Sequence, residues 1–227
     1  ENKNYFKQRL GFCDGDMATV FAEGINKSKS PFLNCWFTIS SHSPYDIPTA
    51  KIKLTEIEND YVNTVSYFDN AMKSFFEKIK NENWYSNTLF VIVSDHSHAS
   101  HKNLSNTDPD YHHIPLLFFG EVLNKKFQGV KIENVVSQLD ISYTILESLG
   151  VKNFENKFPY SKSLLNTKQH FAPYTYHNGA GFIIDSSVCC YDMNNLNKPV
   201  FEKNNFTFLN YFTQAFHQTV YEDYRLK

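Results

Sequence analysis

Apolar positions follow two periods along this chain. Pro31-Phe32-Leu33-Asn34-Cys35-Trp36-Phe37-Thr38-Ile39 is a mostly apolar, aromatic-rich run that reads as a buried strand, ending in the polar stretch Ser40-Ser41-His42-Ser43-Pro44-Tyr45. Leu54, Ile57, Tyr61, Val65, Phe68, Met72, Phe75 and Ile79 then recur at spacings of three and four, which predicts a long helix with one apolar face widened by Phe76. Thr55 and Glu58 form a capping box at its start. Residues 89–93 are continuously apolar, the pattern of a parallel strand covered on both faces, and the run breaks at Ser94-Asp95-His96. Residues 114–119 predict another strand that stops at Gly120, with Pro115 near its start, where a missing N–H is tolerated. Residues 137–149 predict a helix with Leu139, Tyr143 and Leu146 on one face and Gly150 as its stop.

Strand, helix, strand, strand, helix is the order of an α/β sheet with helices on both sides. The last third changes character. Residues 171–176, the turn His177-Asn178-Gly179 and residues 181–191 predict a β-hairpin, and residues 206–224 predict a closing helix. Neither a repeat nor a linker interrupts the chain. One domain over 1–227 is expected, with its α/β part over about 1–165 and a hairpin-and-helix subregion over about 166–227.

Composition narrows the function classes. The net charge is −2 and the lysines are dispersed, so no basic face for nucleic acid is expected. The four cysteines form neither a disulfide framework nor a zinc-ribbon spacing. No apolar run approaches the roughly 18 residues needed to cross a bilayer. The polar opening Glu1-Asn2-Lys3-Asn4 has no apolar region behind it, so the chain reads as a segment of something larger.

Candidate chemistry sits at the strand ends, where open α/β sheets bind ligands. Asp95 and His96 follow the central apolar run and can supply an oxygen and a nitrogen donor to one divalent ion. They open a histidine-rich stretch that contains His98, His101, His112 and His113. His42 follows the first predicted strand.

Several segments, in order, resemble one family. Gly11-Phe12-Cys13-Asp14-Gly15-Asp16 is similar to a G-x-x-D-x-D stretch, and Thr38 to Tyr45 to a T-x-S-S-H-x-P-[FY] strand end. Tyr67-Phe68-Asp69 matches Y-x-D, and Val91-Ile92-Val93-Ser94-Asp95-His96 an S-D-H signature. Tyr111-His112-His113-Ile114-Pro115-Leu116 matches Y-H-x-I-P-L, and Ser137 to Leu146 an S-Q-x-D-I-x-x-T-[IL]-L helix. Together, over roughly residues 5–190, they resemble the sulfatase-like branch of the alkaline phosphatase superfamily, and within it the lipoteichoic acid synthase-like phosphoglycerol transferases.

The resemblance implies a partial three-layer α/β/α alkaline-phosphatase-like sheet with a C-terminal β-hairpin and closing helix. It implies that Asp95 and His96 are two ligands of a catalytic divalent metal, manganese first, with zinc, calcium or magnesium as alternatives. His42 is implied to contact the substrate's phosphate. His98 departs from the family pattern, and His112 or His113 is a candidate further ligand. Asp14, Asp16 and Asp140 are expected at helix starts, and Trp36 and Tyr45 in a core or pocket wall. The implied reaction moves phosphoglycerol, or a similar head group, from a phospholipid to a glycan or glycerol acceptor through a covalent Thr intermediate. The Thr and a further acidic ligand have no match here, and neither Thr19 nor Cys13 has the nucleophile's context. The missing N-terminal half of the domain and upstream membrane helices are the implied partners, at the extracytoplasmic face. Little turnover is expected of this chain alone. The alternatives are a sulfatase or phosphodiesterase of the same superfamily, and a non-catalytic domain that keeps the fold.

Overall fold

The computed structural model describes residues 4–48, 59–98, 103–165, 168, 170–194, 199–204 and 207–226. Leu54, Thr55, Ile57, Glu58 and His101 of the sequence expectations lie outside these residues. The chain forms two compact units, one of Glu1–Phe90 with Phe118–Asn124 and one of Val91–Leu117 with Lys125–Lys227.

In the first unit, helices α1 (Asp14–Lys27) and α2 (Asn59–Ile79) pack together. Ala18 and Ala22 on α1 are small enough for α2 to approach closely, and with Ile25, Phe75 and Ile79 they form the buried centre. Around it lies a mesh of rings: Phe21 and Phe75 both pack on Trp36, and Phe76 meets Phe90 edge-on at 5.3 Å between centroids. The buried stripe of α2 is rotated from the expected one. Thr64 is buried while Val65 is exposed, because the Thr64 hydroxyl donates to the Tyr61 carbonyl and carries no unmet polar group inside.

Residues 31–39 are extended but form no strand among the described residues, contrary to the expectation of a buried one. Successive side chains alternate. Phe32 and Trp36 pack on the helices, whereas Leu33 and Phe37 are 87% and 75% exposed. Burial on both faces requires cover on both faces, and the helices supply only one.

Strands β1 (Phe90–Val93) and β2 (Leu116–Phe119) pair as a two-stranded sheet. Full burial was expected of β1, yet it is half-buried and Val93 is exposed at its end. Gly120 closes β2 at φ 136°, and a Cβ there would lie 2.4 Å from the Thr88 carbonyl oxygen, so only glycine fits.

The second unit holds helix α3 (Leu139–Ser148) and an antiparallel sheet of β3 (Phe171–Tyr176), β4 (Gly179–Ile184), β5 (Ser187–Asp192) and β6 (Phe201–Lys203), in that order. Where one hairpin was expected there are two tight turns. The second, at Asp185-Ser186, divides the predicted 181–191 strand, with Asp185 at φ 51°. Helix α4 (Thr207–Arg225) covers one face of this sheet, where Phe182, Cys189, Tyr191 and Leu209 are buried. Tyr174, Val188 and Cys190 are buried on the opposite face. Cys189 and Cys190 therefore point to opposite sides of β5, and both are free thiols.

Candidate active site

In the first unit, the loop that bears His42 is tied to the start of α1. The buried Asp14 carboxylate accepts the backbone N–H groups of Ile39 and Ser40, both at 3.0 Å, and the Asp14 N–H donates to the Ser40 hydroxyl at 2.9 Å. Asp14 does more than stabilise a helix start: it holds the backbone two residues before His42. Asp16 accepts from the Phe6 N–H and the Cys13 thiol. His42 is exposed, and its Nδ1 lies 2.8 Å from the Ser43 carbonyl. A carbonyl only accepts, so Nδ1 carries the proton and Nε2 faces outward. Tyr45 completes the loop at φ 64° with its ring edge-on to Tyr61. Trp36 is a core residue.

Cys13 is buried, and burial pushes its thiol up from the usual range, so it stays protonated and is a poor nucleophile. The Tyr67 hydroxyl donates to its sulfur at 3.0 Å and accepts from the Gly15 N–H at 3.2 Å, which gives the Y-x-D tyrosine a structural task.

In the second unit, Asp95 and His96 stand together after β1. The Asp95 Oδ1 accepts the His96 N–H at 2.9 Å, and the Asp95 Oδ2 lies 3.6 Å from His96 Nε2. His96 Nδ1 lies 2.7 Å from the Ser97 carbonyl, so that nitrogen carries a proton and Nε2 is the ring nitrogen on the carboxylate's side. Two donors that each sit about 2.1 Å from one small divalent ion are at most about 4.2 Å apart. The pair's spacing thus permits a shared cation. Both side chains are solvent-exposed, open to an ion and to further ligands.

The turn is anchored by a residue that sequence reasoning passed over. Gln138, just before α3, donates through Nε2 to the carbonyls of Ser94 at 2.6 Å and Asp95 at 3.0 Å. The Ser94 hydroxyl donates to the His96 carbonyl at 2.6 Å, and the Ser97 hydroxyl to that of Tyr111. The only signal for Gln138 was its place in the S-Q-x-D stretch.

Asp140 lies in the first turn of α3, as expected, and does more there. It was expected as a helix-start residue favoured by the dipole, and it is fully buried. Its carboxylate accepts from Ser137 N–H, Lys162 N–H and the Lys162 ammonium, the last at 2.7 Å. Lys162 also donates to the Phe171 carbonyl and lies 4.0 Å above that ring's centroid.

His112 donates through Nε2 to the Asn106 carbonyl at 2.8 Å and packs on Tyr174, and His98 and His113 are exposed. Among the described residues no group of three or more His, Cys, Asp or Glu side chains is arranged to hold a metal ion. Asp95 and His96 are two donors of a site that needs more.

The Sulfatase family model matches residues 1–151. The chain is 30% identical over 92 residues to the lipoteichoic acid synthase-like protein YvgJ of Bacillus subtilis, covering 38% of this chain and 15% of that protein. It is 23% identical over 214 residues to the lipoteichoic acid synthase of Staphylococcus saprophyticus, covering 86% of this chain and 32% of the relative. A crystal structure of an alkaline phosphatase superfamily protein from Vibrio parahaemolyticus superposes with a TM-score of 0.70 at 26% identity, over 85% of this chain and 47% of that one. The chain thus spans well under two thirds of these relatives. The fold is the α/β fold of the alkaline phosphatase superfamily, in part, and the chain belongs to the Sulfatase family, on its lipoteichoic acid synthase-like side.

Proposed function

We propose that the chain is part of a metal-dependent phosphotransferase that moves phosphoglycerol, or a similar phospho-head-group, from a phospholipid to a glycan or glycerol acceptor. The observation that carries this reading is the 3.6 Å approach of His96 Nε2 to Asp95 Oδ2, with the other imidazole nitrogen committed to the Ser97 carbonyl. The similarity to lipoteichoic acid synthases supports it.

In this reading Asp95 and His96 hold one divalent ion, manganese, with zinc, calcium or magnesium as alternatives. When bound, such an ion supplies positive charge to a phosphoryl oxygen and to the attacking group. The nucleophilic Thr and a further acidic ligand belong to an N-terminal part of the domain beyond this chain, and the reaction takes place at the extracytoplasmic face of the cell membrane. Among the described residues no helix is long and apolar enough to cross that membrane.

The chain's own residues divide the remaining work. Gln138 fixes the backbone of Ser94 and Asp95, so the carboxylate and imidazole stay on the same side. Asp14 fixes the backbone before His42. Since His42 Nδ1 donates to Ser43, His42 donates to a phosphate oxygen only through Nε2, and only as an imidazolium. That donor lowers the cost of charge that grows on the oxygen during transfer.

The family description favours a second reading, hydrolysis of a sulfate ester or soluble phosphodiester. One assay separates them. The intact protein is offered a phosphatidylglycerol-type lipid, an aryl sulfate and a soluble phosphodiester side by side, with Asp95→Ala as control. Lipid-dependent transfer is expected, with a loss on the order of 100-fold or more in Asp95→Ala. Preferred turnover of the sulfate ester supports the hydrolase. Wild-type rates in Asp95→Ala would leave only the fold, in a non-catalytic domain.

A further inference from the structure

His96 projects into solvent, with 76% of its side chain exposed, so packing does not orient the imidazole. Its orientation rests on the bond from Nδ1 to the Ser97 carbonyl. Ser97 is itself held from elsewhere: its hydroxyl donates to the carbonyl of Tyr111, 14 residues on. Whatever holds Tyr111 therefore helps to hold the ring.

Tyr111 belongs to a loop, residues 105–113, built around the one-turn helix Pro109–His112. Among the described residues the backbone–backbone bonds of this loop are all internal, from Asp108 to Ser105, Tyr111 to Asp108 and His113 to Asp110. Its seat is the face of the antiparallel sheet opposite α4. The buried Tyr174 hydroxyl donates to the Thr107 carbonyl at 3.1 Å, and the buried Cys190 thiol donates to the same carbonyl at 3.6 Å. At the far end of the turn the His112 ring lies on the Tyr174 ring, with 4.4 Å between centroids and 30° between planes. One tyrosine thus meets the loop both before its helical turn and at the end of it. Burial pushes the Tyr174 hydroxyl up from its ordinary value, so it stays a donor. The sheet also sets where the ring lies. A Cβ on Gly181, the partner of Tyr174 on β4, would stand 2.1 Å from the ring's Cζ, so the ring crosses a position that only glycine leaves open.

We propose that Tyr174 is a positioning residue for the His96 imidazole. It seats residues 105–113 on the sheet, the Tyr111 carbonyl in that loop holds the Ser97 hydroxyl, and the Ser97 carbonyl holds the ring with Nε2 towards Asp95. The four-stranded sheet thereby contributes to cation affinity without supplying a ligand. The inference rests on the reading of Asp95 and His96 as ligands of one divalent ion.

The test titrates Mn2+ alone into the intact protein by calorimetry and follows amide hydrogen exchange in residues 105–113. Tyr174→Phe keeps the ring on His112 and removes only the bond to Thr107. It is expected to weaken Mn2+ binding about 3- to 10-fold, the range of one neutral hydrogen bond, and to speed exchange in the loop. Ser97→Ala, one link nearer the ring, is expected to weaken Mn2+ binding about 10- to 100-fold. In the Ser97→Ala background Tyr174→Phe then has no further effect on Mn2+, because the link it acts through is already cut. Tyr176→Phe is the control. Its hydroxyl donates to the Tyr191 carbonyl within the sheet at 2.9 Å, so this variant loses a comparable bond and keeps wild-type Mn2+ affinity. If Tyr174→Phe disturbs folding, Cys190→Ala removes the other donor to Thr107 and is read in the same way.

Wild-type Mn2+ affinity or wild-type loop exchange in Tyr174→Phe overturns the proposal. So do additive losses in the double variant, or an equal loss in Tyr176→Phe. If Asp95→Ala abolishes Mn2+ binding while Tyr174→Phe binds as wild type, the positioning role falls and the metal reading stands. Wild-type Mn2+ affinity in Asp95→Ala overturns both.

Discussion

Asp140 carries the largest single electrostatic stake among the described side chains. It and Lys162 are 0% and 4% exposed, with the ammonium 2.7 Å from the carboxylate and no water layer to screen either charge. Removal of one partner leaves the other charge buried and alone. Asp140→Ala is therefore expected to cost about 3–5 kcal/mol, read from the shift in urea midpoint. Replacement of both, as Asp140→Leu with Lys162→Met, should recover most of the loss. A double variant as unstable as the single one would refute a pairing role. The sequence offered Asp140 only as an acidic residue in a helix's first turn. Its partner lies 22 residues on, in a stretch with no periodic pattern to announce it. Asp95 and His96 were legible because they interrupt an apolar run, whereas Gln138 and Asp14 act through backbone groups that no side-chain pattern encodes.

At the scale of elements, α1 and α2 meet through Gly15 and Tyr67. A Cβ at Gly15 would stand 2.4 Å from the Tyr67 hydroxyl, which is itself bonded to the Gly15 N–H and to Cys13. Gly15→Ala forces that ring aside and breaks both bonds, although alanine is the better helix former. The net effect is expected to be a destabilisation of about 1–3 kcal/mol. Tyr67→Phe in the same background removes the clashing atom and should make the alanine close to neutral, a coupling that a double-mutant cycle in thermal unfolding measures. Helix periods located α2, α3 and α4 well, because one-sided burial repeats every turn. Strand patterns were less faithful. The 31–39 run has the composition of a core strand, but Leu33, Cys35 and Phe37 face solvent, and the polar break Asp185-Ser186-Ser187, which makes the turn, was read through as part of one strand. In α3 the buried positions are Asp140 and Thr144, whereas Leu139 is exposed, because a paired carboxylate and a bonded hydroxyl can replace leucine inside.

For the molecule as a whole, pH is a usable probe. His217 on α4 donates through Nε2 to the Gly181 carbonyl at 3.1 Å, and burial holds its pKa below the ordinary value despite that bond. The native state thus resists protonation more than the unfolded chain does. Above about pH 6.5 both states are neutral at this ring and it adds no pH dependence. As pH falls from there towards the lower native value, the unfolded chain gains the proton first and stability declines, levelling once the native ring also titrates. His217→Gln keeps a donor for Gly181 and lacks the titration. The wild type should lose stability relative to this variant between pH 6.5 and lower values in denaturant titrations, and parallel curves would disprove the assignment.

The order of motifs, the places of the helices and the adjacency of Asp95 and His96 were settled by sequence alone, since each depends on neighbours within a few residues or on a fixed local period, whereas which helix face is buried was not. The Asp14 tether beneath His42, the Gln138 grip on the Asp95 turn, the Asp140–Lys162 pair and the Tyr174 seat of the 105–113 loop were decided by tertiary structure. Each joins groups whose separation along the chain bears no relation to their separation in space, and burial alone sets what those contacts are worth.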